Sequence, residues 1–247
     1  MIVDSLTFVG SSIFGHAATA DELLAALDGT GVDRAVVCPV KPRTYDLGEA
    51  NEVVAAAVAA GDGRLVGIAR VDPLLGDDAC RELERALGTL GLRGLFLHPW
   101  EETFRISDRR VDPVVAVARE HGVPVVVAAG YPWLSEALQV GALARRFPEV
   151  TFVATNGLQL NISGLGQVDA ELALAEAPNL RLQTAGVYRE DFLEGVVRRF
   201  GAERLLYASA YPLLDPRLEV RRVQWAAFSD GQAAALLGGN AAAVFRI

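Results

Sequence analysis

The chain has 247 residues, and its 31 Asp and Glu against 23 Lys and Arg leave a formal net charge of −8. No Lys/Arg cluster interrupts that acidic surplus, so nothing favours a polyanionic partner such as nucleic acid. No run approaches the ~18 consecutive apolar residues of a membrane span, and the length suits one large α/β domain over residues 1–247.

The chain opens directly on an apolar strand pattern at 1–8, without a basic n-region or a signal-like segment, which points to the cytoplasm. Further apolar runs recur at 34–40, 65–71, 94–98, 123–129, 150–155, 180–184 and 205–209, each followed by a helical pattern. Strands alternating with helices at this spacing indicate repeated βα units and a parallel sheet. Thr19-Ala20-Asp21-Glu22 has the form of a capping box before Leu23, and Asp46-Leu47-Gly48-Glu49 has the same form before Val53. Later helices are predicted over 77–90, 111–120, 135–147, 169–176, 190–200 and 217–228. The tail reads as two short helices, 230–237 and 240–245, broken at Gly238-Gly239 and restarted by Asn240 as a cap. Cys38 and Cys80 lack metal-like spacing and read as free core thiols.

Length and alternation alone permit either a closed barrel or an open doubly wound sheet. The segments Gly31-Val32-Asp33-Arg34-Ala35, Gly91-Leu92-Arg93-Gly94-Leu95-Phe96-Leu97-His98-Pro99, Arg146-Phe147-Pro148-Glu149-Val150, Phe200-Gly201-Ala202-Glu203-Arg204 and Gly238-Gly239-Asn240-Ala241 add a further clue by their order and spacing. With Leu206-Tyr207-Ala208-Ser209-Ala210-Tyr211-Pro212, they resemble the amidohydrolase-related (amidohydrolase 2) family of metal-dependent hydrolases. The resemblance implies an α/β fold, a single-domain (β/α)8 TIM barrel, with one or two divalent metals at the C-terminal strand ends.

At the positions where that family carries its metal ligands, this chain has Leu6 and Phe8 on the first strand and Ala128 on the fifth. On the sixth it has Asn156, or Thr155 one residue earlier, and on the eighth Ala210; Phe96 stands where some relatives carry Lys. A metal site needs several imidazoles or carboxylates converging, so the expectation is no metal and no cofactor.

What remains in the strand-end loops is aromatic and amide-rich. Ligand-binding candidates are Trp100, Tyr131, Trp133, Asn156, Gln159, Asn161 and Ser209, although rigid aromatics serve interfaces and Asn and Ser serve loop backbones equally well. Acid–base candidates are His98, Tyr188 and Glu101, with Asp4 as a further carboxyl whose plainer use is to hold neighbouring backbone. His16 and His121 read as loop and helix-end residues.

Three functions are compatible with this reading. One is a pseudoenzyme that binds a small molecule, forms a homo-oligomer, or partners an active relative in a hetero-oligomer. Another is a metal-free lyase, isomerase or cyclase acting on an apolar small molecule. The third, metal-dependent hydrolysis or decarboxylation, is what the resemblance alone implies.

Overall fold

Strand β1 (Val3–Ser11) pairs in parallel with β2 (Arg34–Pro39), placing Phe8 opposite Cys38. The computed structural model describes residues 1–160 and 164–247. Strand β3 comes in two pieces, Leu65–Gly67 and Ala69–Arg70, because it changes partner at Ile68. Its first piece pairs with β2, and its second with β4 (Leu95–Leu97). Strands β5 (Val125–Val127), β6 (Phe152–Ala154), β7 (Leu180–Gln183) and β8 (Leu205–Leu206) continue the parallel order.

The sheet closes where β8 meets β1. Ser5 N–H donates to the Tyr207 carbonyl at 2.9 Å, and Ala210 N–H donates to the Leu6 carbonyl at 2.9 Å. Among the described residues, eight parallel strands thus form the (β/α)8 barrel, and Ala17–Ala18 runs antiparallel against the end of β1. The open doubly wound alternative is excluded by that closure.

Both faces of the strands are buried, which is why they read as near-continuous apolar runs. Val36, Ile68, Val126, Val153 and Leu206 pack together inside the barrel. Their neighbours Val37, Leu95, Leu97, Val125 and Leu205 belong to the separate apolar layer beneath the helices. The observed β8 is shorter than its apolar run because the Tyr207 amide bonds Leu236 and the Ala208 amide bonds the Thr184 hydroxyl.

The outer helices are α1 (Ala20–Asp28), α2 (Gly48–Ala60), α3 (Asp77–Gly88), α4 (Asp112–Glu120), α5 (Ala137–Arg146), α6 (Gly164–Glu176), α7 (Glu190–Phe200) and α8 (Pro216–Trp225). The Thr19/Glu22 capping box forms as expected. The second expected box does not: α2 begins after Leu47 without a side-chain cap, and the Asp46 carboxylate accepts the Gly48 amide instead.

The tail also departs from expectation. A π-turn, Ala235–Gly239, joins α9 (Asp230–Ala234) to α10 (Asn240–Phe245) without a break, and Gly239 has helical dihedrals. Gly238 is required for a different reason. A Cβ there would lie 2.3 Å from the Met1 carbonyl oxygen, so this glycine lets the first strand cross the tail. Asn240 is not a cap, for its amide nitrogen donates to the Ala202 and Leu205 carbonyls and pins the tail under β8. Among the described residues no helix is long and apolar enough to cross a membrane.

Candidate functional site at the strand ends

The mouth of the barrel is organised by Arg70, the last residue of β3, which is only 1% exposed. Two strand positions after inward-facing Ile68, it too projects inward. Asn51 on α2 fixes its backbone from both sides, accepting the Arg70 N–H at 2.8 Å and donating to the Arg70 carbonyl at 3.1 Å. The guanidinium donates to the Pro39 carbonyl at 3.3 Å, to Glu102 Oε1 at 2.7 Å and to the Glu101 carboxylate. Lys41 Nζ lies 3.3 Å from the same Glu102 oxygen, and the Arg70 guanidinium sits over the Phe96 ring at 5.6 Å.

Two cations and two carboxylates therefore share one buried cluster. Burial opposes the charge on Arg70, but Glu102 and Glu101 more than offset it and hold the guanidinium above its ordinary value. Burial likewise pushes the Glu102 carboxyl up, against the pull of Arg70 and Lys41. Arg70 Nε and Glu102 Oε2 are left without partners.

His98 stands beside this cluster, in the turn that follows β4. The Glu101 and Glu102 amides both donate to the His98 carbonyl, so the turn folds back on the imidazole. The Glu101 N–H also donates to His98 Nδ1 at 3.2 Å, which leaves Nε2 to carry the proton of the neutral ring. That Nε2 is 3.7 Å from Glu101 Oε1. Burial first, then the charges of Arg70 and Lys41, hold the imidazole well below its usual pKa, so it is uncharged at neutral pH.

An aromatic series fills the space above. Phe8 meets Phe96 edge-on with centroids 5.8 Å apart, Phe96 meets His98 at 5.7 Å, and His98 meets Tyr131 at 5.3 Å. Trp100 then stacks on Tyr131 at 5.8 Å and 15°, and is itself 54% exposed. His98, Glu101, Trp100 and Tyr131 are thus brought together as one group.

The other sequence candidates fall elsewhere. Tyr188 is 68% exposed under the Arg222 guanidinium, in a shallow concavity shared with Gln159, Gly186 and Arg189. Trp133 is 76% exposed, with a left-handed φ of 64°. Asn156 also has positive φ, and its amide donates to Thr155 Oγ1 at 3.1 Å and Ala129 O at 3.5 Å. Ser209 is fully buried, and its hydroxyl accepts the Tyr211 amide, so it presents no surface to a ligand. Asn161 lies outside the described residues.

Asp4 is likewise sealed; its Oδ1 accepts the Leu6 and Ser209 amides while Oδ2 has no partner. Burial raises its carboxyl to about 7 despite those hydrogen bonds. His121 caps α4 and pairs with Glu84 at 2.6 Å. Ser209, with no exposed surface, and Asn156, turned to Thr155 and Ala129, do not join the His98, Trp100 and Tyr131 group.

The residues present do not fit a divalent metal. Leu6, Phe8, Ala128 and Ala210 are buried in the barrel's apolar interior and carry no donor atom, and the Asn156 amide is directed at Thr155 and Ala129. Glu101, 3.7 Å from His98, and its neighbour Glu102 are both engaged by Arg70. Among the described residues no group of three or more His, Cys, Asp or Glu is arranged to hold a metal ion.

Sequence reasoning missed Arg70, Glu102, Lys41 and Asn51. The signal was an arginine at the end of an otherwise apolar strand, since a charge at an inward strand position must find partners.

The amidohydrolase family profile matches residues 16–247. Among solved structures, an uncharacterised TIM-barrel protein from Bordetella bronchiseptica superposes with a TM-score of 0.80 at 17% identity, over 99% of this chain and 98% of that one. The 5-carboxyvanillate decarboxylase of Sphingomonas paucimobilis gives 0.76 at 18% identity, over 100% and 99%. A dihydroxybenzoic acid decarboxylase from Polaromonas sp. JS666, crystallised with manganese and 2-nitroresorcinol, gives 0.74 at 15%, over 99% and 96%. A comparison with curated proteins gives no match. Identities this low speak for the fold alone, whereas the profile spans nearly the whole sequence: the chain belongs to the amidohydrolase family.

Proposed function

We propose that this protein is a member of the family in which an internal ion cluster and an aromatic plug replace metal chemistry, and that it acts as a partner subunit, with itself or with an active relative. The observation that carries this reading is the state of His98. Its basic Nδ1 already accepts the Glu101 amide, and both neighbouring carboxylates are held by Arg70. A general base needs a free lone pair within reach of the substrate, and the imidazole offers none. The exposed Trp100, Trp133 and Tyr188 on the strand-end loops add the aromatic surface that interfaces favour.

Light scattering after size-exclusion chromatography, alone and with a catalytically active family member, tests the reading. An assembly weakened by Trp133→Ser or Tyr188→Ser supports it. A chain that stays monomeric in both experiments, or that turns over aromatic carboxylic acids with added manganese, contradicts it.

A second reading, metal-free proton transfer, is favoured by the contact between His98 and Tyr131 beside Glu101. It requires turnover that survives chelator and is lost in His98→Asn.

A further inference from the structure

The opposite, N-terminal end of the barrel holds a cavity of about 300 Å³ between the starts of β5, β6 and β7 and the C-terminal helix α10. Its wall includes Arg119, Arg181 and Arg246, against a single carboxylate, Glu149. In a chain of net charge −8, three guanidinium groups around one concavity are a local reversal of sign.

Arg181 is the informative member. It lies on β7 and is half-buried, and one of its terminal nitrogens donates to the Glu203 carbonyl at 3.1 Å. Its Nε has no partner, and among the described residues it makes no ion pair within 4 Å. Burial holds its guanidinium below the ordinary arginine value, with the Glu203 charge opposing. Arg204 nearby is buried as well, its guanidinium spent on the Leu174, Ala177 and Leu180 carbonyls rather than on a carboxylate. The region thus carries positive charge removed from water without a full counter-charge, which is costly unless an anion offsets it.

The other two arginines are placed to complete such a site. Arg246 is tied to the rim by donating to the Gly122 carbonyl at 3.0 Å, and Arg93 donates to the Arg246 carbonyl at 3.2 Å. Arg119 pairs with Glu149 at 3.5 Å and with Glu120 at 3.9 Å, and all three side chains are close to half exposed or more, so these pairs are weak and can be displaced.

We propose that this cavity binds a phosphate group, held by Arg181, Arg119 and Arg246, at the end of the barrel away from the candidate functional site. Guanidinium forks match phosphate oxygens, and an oxyanion would supply the partner that Arg181 lacks. The proposal does not depend on what the strand-end face does.

The test is isothermal titration of the full chain with inorganic phosphate, at an ionic strength matched by chloride. The expected result is saturable binding at one site per chain, weakened at least tenfold by Arg181→Met and by Arg119→Gln. Arg119 is half exposed, so that variant retains a readable fold if Arg181→Met does not. Amide NMR shifts at Gly122 and Thr151 on phosphate addition report the location. A parallel titration with glycerol 3-phosphate separates the free ion from a phosphoester head, and the tighter ligand identifies the source. Binding of neither, heat matched by the chloride control, or undiminished affinity in both variants overturns the site.

Discussion

Arg70 at the end of β3 donates to Glu102 in the loop after β4 at 2.7 Å, with both side chains essentially removed from solvent. Breaking one side of such a pair leaves a buried charge, a loss of about 3–5 kcal/mol in comparable cases. Arg70→Met is therefore expected to lower stability by roughly that amount. Glu102→Gln, which keeps the shape and leaves Glu101 on Arg70, should cost less. Urea unfolding of both variants measures it, and an Arg70→Met loss below about 1 kcal/mol would show that the cluster is not holding the mouth.

His98 is expected to stay neutral, with the proton on Nε2, because its Nδ1 accepts the Glu101 amide and cations crowd the ring. Nitrogen-detected NMR of the imidazole should show one fixed neutral tautomer as pH is lowered from 8 through 6.5, where an ordinary imidazole is half protonated. An imidazole that titrates near 6.5 would overturn the account of the turn.

Asp4 gives a pH dependence of definite sign. Its folded carboxyl titrates at about 7 against an ordinary 3.8, so the folded state holds a proton that the unfolded chain has released. The associated stability is present below the ordinary value and is lost as pH rises towards 7. Glu102 and Glu219, also raised by burial, act in the same direction. His98 acts oppositely, since its depressed folded pKa costs stability as pH falls below about 6.5. The contribution of Asp4 is isolated by comparison with Asp4→Asn, whose stability should fall less between pH 4 and pH 7.5, by up to about 4 kcal/mol. Parallel curves for the two proteins would rule out a buried, protonated Asp4.

Gly238→Ala places a Cβ against the Met1 carbonyl, where backbone cannot give way cheaply. A loss of about 1–3 kcal/mol is expected, the usual range for overpacking. A neutral substitution, read by thermal melting, would mean that β1 and the tail do not cross as described.

The βα units were legible because strands buried on both faces are mostly apolar, as at 34–40 and 123–129, whereas the choice of a closed barrel over an open sheet came from the resemblance to the family. Where expectation failed, a tertiary contact had overridden a local signal. Gly238-Gly239 resembles a helix stop but serves a close crossing, and Asp46 resembles a cap but closes a turn. His98, Trp100 and Tyr131 could be grouped from their loops alone. Arg70 could not be joined to Glu101, Glu102 and Lys41, because pairing across three different strand ends has no imprint in local sequence. The same limit made Ser209 look available, when its hydroxyl and amide are both consumed at the seam between β8 and β1.

The central claim is that the barrel mouth is closed to metal because Leu6, Phe8, Ala128 and Ala210 line it and Arg70 supplies its cation. Metal content by mass spectrometry, after dialysis against manganese and zinc in turn, tests this most directly. The account predicts far less than one equivalent per chain and a melting temperature unchanged by chelator. One equivalent of either metal, retained through dialysis and removed by chelator with a fall in melting temperature, would contradict it.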